Sequence, residues 1–141
     1  MPNLDLQPGI AFHHTIVVEE AFTGLALSQT IVGLADMPPV LSTAFMVGLV
    51  ECTCIEGLRP YLLEGEHTVG TLIDVSHMAA TPVGMQVTAE ARLVAVVGRK
   101  LRFLVTCRDE RDIIGKGNHE RTLIRPASFM RKAEGKRVAA V

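Results

Sequence analysis

The chain predicts an α+β fold in which an antiparallel sheet curls around one long apolar helix. Three observations predict it. Between Val40 and Ile55 the sequence is helix-length and mostly apolar, and Glu51 is its only charge. Four long segments with alternating apolar and polar residues follow, the period of a half-buried strand. One helix followed by a run of neighbouring strands is an α+β order. The 141 residues suit one domain, 1–141, and 48% hydrophobic against 21% charged residues excludes a disordered chain.

A first strand is expected around Phe12–Val18, and Glu20 to Met37 has no strong period. Pro38-Pro39 punctuates the chain and biases Met37 toward extended geometry. Ser42 or Thr43 then serves as N-cap of a helix reaching about Leu58. Phe45, Leu49, Cys52 and Ile55 approximately follow the helical period, and a helix apolar nearly all round is buried on most sides. Gly57 to Pro60 marks its end, with Gly65 in the loop beyond.

The second strand is expected over Val69 to Ala79, with Val69, Thr71, Ile73, Val75 and His77 on one face. Met85 to Val97 follows, with Val87, Ala89, Ala91 and Leu93 aligned. Gly98-Arg99 makes a tight link to Lys100–Arg108, where Leu101, Phe103, Val105 and Cys107 alternate with polar residues. Asp109-Glu110-Arg111-Asp112 is a charged turn, and Ile113 to Ile124 is the last strand. The basic tail from about Arg131 is expected to fray. A sheet wrapped around a single apolar helix is the hot-dog arrangement. Its open sheet edges call for pairing into a homodimer or a dimer of dimers.

A net charge of −1 gives no reason to expect a nucleic-acid or membrane partner. No apolar run approaches the ~20 residues that span a bilayer. The start, Met1-Pro-Asn-Leu-Asp, lacks the basic patch and apolar stretch of a signal peptide, so the expected compartment is cytoplasmic. Cys52, Cys54 and Cys107 are an odd number without zinc-site spacing, which reads as buried, reduced structural thiols and no metal site.

An ionised carboxylate buried without a partner costs several kcal/mol. Glu51 therefore turns toward water, has a dedicated partner, or is held for chemistry. His77 is the best candidate partner, since its strand should pack on the helix that carries Glu51. A carboxylate and an imidazole meeting in a dry site suit acyl transfer, although a histidine on an apolar face is often only a satisfied core residue. Thr43 lies eight residues before Glu51, about 12 Å along a helix, too far for direct contact. Capping alone would account for it. A catalytic Thr43 would need a turn folded back toward the site, or a second chain.

Gly70 could let a backbone N–H approach a substrate carbonyl closely, though most such glycines serve turns. Gly115-Lys116-Gly117 lacks the third glycine of a dinucleotide loop and reads as a bulge or a close backbone approach. Asp74, out of phase with His77, is expected on the surface. His13-His14 are assigned nothing.

Three stretches resemble the hot-dog thioesterases typified by fluoroacetyl-CoA thioesterase. The first is Thr43-Ala-Phe-Met-Val-Gly-Leu-Val-Glu51 with Cys54 and Arg59-Pro-Tyr-Leu62. The second is Val69-Gly-Thr71 leading to Val75-Ser-His77-Met-Ala-Ala-Thr-Pro82 and Gly84. The third is Ile114-Gly-Lys-Gly-Asn-His-Glu-Arg121. The resemblance implies hydrolysis of a short-chain acyl-CoA with Thr43, Glu51 and His77 as the catalytic group. It places the glycine near the substrate carbonyl at Gly70 and a substrate-binding arginine at Arg121. It also implies a homodimer with acyl-CoA sites at the interface and no cofactor, CoA being part of the substrate. The fluoroacetyl enzyme's lid of phenylalanines has no counterpart in Ile31 to Pro38, where Leu34 and Met37 align. Aliphatic side chains fill space without a rigid aromatic face, so fluoroacetate selectivity is not expected.

Two routes fit these residues: attack by Glu51 or Thr43 to give an acyl-enzyme, or direct attack of water with Glu51 or His77 as base. Arg99, Lys100, Arg131 and Lys132 are available for CoA phosphates. A hot-dog hydratase and a non-catalytic acyl-CoA-binding domain are the rival readings.

Overall fold

In the computed structural model, which describes residues 3–139, a long helix lies against one face of a five-stranded antiparallel sheet. In chain order the strands are β1 Ala11–Val17, β2 His67–Val75, β3 Gln86–Val97, β4 Lys100–Asp109 and β5 Ile113–Ile124. The central helix α1 is Thr43–Leu58, and a second helix, α2, is Pro126–Ala139. The sheet order is β1-β3-β4-β5-β2, which leaves β1 and β2 as edges.

The inward residues of β3 and β4 are those the alternation predicts. Ala89, Ala91 and Leu93 are buried opposite Cys107, Val105 and Phe103, and Val87 and Leu101 are buried with them. They meet Met46, Leu49, Val50, Cys54 and Leu58 of α1. That stripe recurs at three- and four-residue steps, as one helix face must. It is not the predicted face. Phe45, Cys52 and Ile55 are only half-buried, and Val47, Gly48 and Glu51 lie on the open side. Overall apolarity hid which face carries the core.

Gly57 stays within α1, because a Cβ there would collide with the Phe12 ring of β1. It is a packing glycine, and the helix runs on to Leu58 before the single 3-10 turn Arg59–Tyr61. Residues 20–34, which had no period, form three short 3-10 turns. The chain then returns to the sheet through the Val40–Pro82 bridge and the Leu41 N–H donated to the Thr81 carbonyl at 2.9 Å.

β2 departs from its expected form in length and in parity. It ends at Val75, so His77 sits in the loop beyond. Its register against β5 slips between Gly70 and Leu72. Gly70 pairs with Arg121 and Ile73 with His119, and paired residues share a face. The bulge at Thr71 thus turns Thr68 and Gly70 inward before it, and Ile73 and Val75 inward after it. A strict alternation through Val69 and Thr71 could not anticipate that flip. The basic tail is likewise helical rather than frayed to residue 139, and it is solvent-exposed over residues 126–137. Residues 140 and 141 lie outside the described region.

Candidate active site

Ser42 caps α1, its Oγ accepting the Phe45 N–H at 3.2 Å. Thr43 is the first helical residue, exposed and free of capping duty. Its hydroxyl lies 2.8 Å from Nδ1 of His77. The segment carrying His77 is tied to β5: Ser76 N–H donates to the Lys116 carbonyl at 2.9 Å and Met78 N–H to the Ile114 carbonyl. This approach requires small residues on β5. A Cβ on Gly115 would strike the Ser76 carbonyl, and one on Gly117 the Asp74 carbonyl. The Gly115-Lys116-Gly117 run is therefore the close backbone approach anticipated from sequence.

Thr43 and His77 open on a cavity of about 310 Å³ lined by Leu27, Leu34, Met37 and Val40. Leu34 and Met37 thus stand beside Thr43. Burial pushes the His77 pKa below its ordinary value, which keeps the imidazole neutral at neutral pH. Its Nε2 is buried with no hydrogen-bond partner among the described residues.

Glu51 belongs to a different cluster. Its Oε2 accepts Nη1–H of Arg121 at 3.0 Å, so its partner within the chain is Arg121 and not His77. Arg121 is only 2% exposed, while the Glu51 side chain remains 40% exposed. All three guanidinium nitrogens are engaged: Nε donates to Thr68 Oγ1 at 2.9 Å and Nη2 to the Thr68 carbonyl at 3.1 Å. Nη1 also donates to Nε2 of His119 at 3.2 Å. Gly70 lies directly under the carboxylate, where a Cβ would sit 2.7 Å from Glu51 Oε2. Glu51, Gly70 and His119 line a second cavity of about 200 Å³ with Val47, Leu72 and Ile73.

The predicted residues therefore fall into two groups at different levels of α1. Leu34, Met37, Thr43 and His77 form one; Glu51, Gly70 and Arg121 form the other. Thr43 is not on a turn folded back toward Glu51. His119 and Thr68 carried no assignment from sequence. The signal was available for His119, which stands two residues before Arg121 and so shares its strand face. Asp74 is exposed, as expected. Cys54 and Cys107 are buried, and burial pushes their thiols up to about 12 and about 11, so both stay protonated. Cys52 is only half-buried, contrary to expectation.

A family model described as fluoroacetyl-CoA-specific thioesterase matches residues 26–127. The fluoroacetyl-CoA thioesterase of Streptantibioticus cattleyicolor is 41% identical over 131 residues, covering 93% of this chain and 94% of that protein. A crystal structure of fluoroacetyl-CoA thioesterase superposes with a TM-score of 0.89 at 41% identity, covering 93% of this chain and 97% of the other. A thioesterase superfamily member from Thermus thermophilus gives a TM-score of 0.80 at 26% identity, over 95% of this chain and 97% of that one. The helix-wrapping sheet is thus the hot-dog fold, and the chain belongs to the fluoroacetyl-CoA thioesterase family.

Proposed function

We propose that the protein hydrolyses short-chain acyl-CoA thioesters to the free acid and CoA at sites shared between two protomers. The observation that carries this reading is the Thr43–His77 pair, 2.8 Å apart at the mouth of an aliphatic cavity, with Glu51 held open to solvent elsewhere on the same helix. Eight residues of helix separate Thr43 from Glu51 by about 12 Å. A second copy supplies what one chain keeps apart: Thr43 and His77 from one protomer meet Glu51 and Gly70 from its partner. Edge strand β2 supports such pairing, since Leu72 and Ile73 are 43% and 44% exposed beside the Glu51 cavity.

Whichever of the two donates, the neutral imidazole of His77 holds the Thr43 hydroxyl at the cavity mouth, as acceptor of its proton or as donor to its oxygen. The carboxylate of the route is Glu51. It either attacks the carbonyl carbon directly or takes a proton from the attacking water. In the water route the C–S bond then breaks and CoA leaves as a thiolate that takes up the proton held by Glu51. In the covalent route the thiolate leaves behind an acyl–Glu51 anhydride, which water cleaves to the free acid and the restored carboxylate, its proton passing to the thiolate. The Gly70 backbone N–H serves the developing oxyanion, a role worth about 3–4 kcal/mol where such donors are removed elsewhere.

Leu27, Leu34, Met37 and Val40 make the acyl wall aliphatic, which suits small unfluorinated acyl groups. No cofactor or metal enters this chemistry, so dialysis against a chelator should leave the rate unchanged. Reduced thiols and acyl-CoA chemistry fit a cytosolic setting. Among the described residues no helix is long and apolar enough to cross a membrane.

The direct test mixes the protein with acetyl-, propionyl-, butyryl- and fluoroacetyl-CoA and follows free thiol. Release of CoA is expected, with no preference for the fluorinated ester. Silence across the panel would sink the thioesterase reading. Turnover in oxygen-18 water separates the routes, because label enters the Glu51 carboxylate only when Glu51 itself is acylated.

A further inference from the structure

His119 is the least exposed histidine near Glu51, and nothing in the proposed chemistry uses it. It sits on β5 at 2% exposure, paired in register with Ile73 of β2 and Phe103 of β4. Its two ring nitrogens have opposite duties. Nδ1 is 2.7 Å from the Leu72 carbonyl, an acceptor only, so Nδ1 must carry the proton. Nε2 lies 3.2 Å from Arg121 Nη1, a donor only, so Nε2 must be the bare acceptor. The surroundings thus dictate one neutral tautomer. The charged groups that act on it are Glu51 from α1 and Arg121 on its own strand, and the Cys54 thiol of α1 lies near that same ion pair. The register partner on β4, Phe103, carries no charge.

The same Nη1 that donates to His119 donates to Glu51 Oε2. A guanidinium nitrogen with two hydrogens directs each along a fixed bearing. We propose that His119 is a positioning residue: by accepting one Nη1 hydrogen it aims the other at Glu51 and so seats the carboxylate over Gly70. Thr68 holds the Nε and Nη2 edge of the guanidinium, the imidazole, itself fixed by the Leu72 carbonyl, holds Nη1, and Nη1 seats the carboxylate. These contacts also explain why β2 bulges at Thr71. The register slip sets Ile73 across from His119, with the Leu72 carbonyl within reach of Nδ1. A protonated His119 would present a donor to Arg121 and could not hold it.

This inference rests on the thioesterase reading for its catalytic consequence, though not for its geometry. Two substitutions dissect the two nitrogens. Asparagine places its amide near the position of Nδ1, so His119→Asn keeps the donor to Leu72 and loses the acceptor for Arg121. Glutamine reaches the position of Nε2, so His119→Gln offers its carbonyl oxygen to Arg121. With acetyl-CoA as substrate, His119→Asn should lower kcat by roughly 10- to 100-fold, the scale of an ångström-sized misplacement, with KM little changed. His119→Gln should restore most of kcat. NMR of the Arg121 Nη–H signals supplies a readout that needs no activity. Resolved, slowly rotating Nη1–H signals are expected in the wild type and in His119→Gln and faster Nη1 rotation in His119→Asn, while the Nη2–H held by the Thr68 carbonyl changes little in all three.

Equal kcat in all three proteins would overturn the proposal. So would equal losses in the two variants accompanied by the same fall in Tm, the mark of a merely structural residue. Should the wild type release no thiol at all, the thioesterase reading fails by itself, and the guanidinium signals still decide the positioning role.

Discussion

Gly70 is the residue at which sequence and site meet most tightly. A Cβ there would lie 2.7 Å from Glu51 Oε2 and 3.3 Å from the His119 ring, so alanine must push the carboxylate off its seat. Gly70→Ala should leave the fold intact and lower kcat by roughly 10- to 100-fold. An unchanged rate would remove Glu51 from the chemistry. Arg121 makes the complementary case. Replacing it with alanine strands Glu51, Thr68 and the bare Nε2 of His119, so a stability loss of several kcal/mol is expected on chemical unfolding. His77 belongs to the other group of candidate residues, with Thr43. Because burial lowers its pKa, the neutral imidazole persists below the usual histidine value of 6.5. The acid limb of the kcat/KM profile should lie below that value; a limb above it would contradict the reading.

The elements explain how these residues reach their places. Helix α1 begins where it does because Ser42 caps it, which frees Thr43. Ser42→Ala should cost about 1 kcal/mol of stability. On β5, Gly115 and Gly117 let residues 74–76 press against the strand, and this approach delivers His77 to Thr43. Gly115→Ala is expected to displace the Ser76 carbonyl, lowering both Tm and activity, whereas a substitution on the exposed face of β5 would do neither. The alternation made β3, β4 and β5 legible from sequence, because both flanking layers impose a period of two. β2 was less legible. Its bulge reverses the inward face within one strand, and a bulge leaves no mark in a hydrophobic pattern.

At the scale of the molecule, protomer pairing and proton linkage are both open to measurement. Sedimentation should report a dimer at catalytic concentrations. Mixing Glu51→Gln with His77→Ala protomers tests site sharing more sharply. Each variant alone is inactive, yet a mixed dimer holds one intact pair, so about a quarter of wild-type activity should return after random exchange. No recovery would place each site within one chain. Linkage follows from half-buried His77 and buried His119. The folded values of His77 and His119 both lie below 6.5, so the unfolded chain takes up protons first as pH falls. Their contribution to stability is complete above about pH 6.5 and is lost as pH falls through the folded values. Tm should therefore decline on the acid side of 6.5, and less steeply in His119→Gln.

The sequence alone determined the fold class and the core of β3 and β4, while its resemblance to the hot-dog thioesterases is what added Thr43 to Glu51 and His77 as candidates. Patterning carries the fold because helix and strand periods are local. It paired Glu51 with His77, and the tertiary structure paired Glu51 with Arg121 and His77 with Thr43 instead. Partners are chosen by register, by a bulge at Thr71 and by glycines that let one backbone touch another. These are contacts between residues as many as 70 positions apart, as Glu51 and Arg121 are, and no local period encodes them.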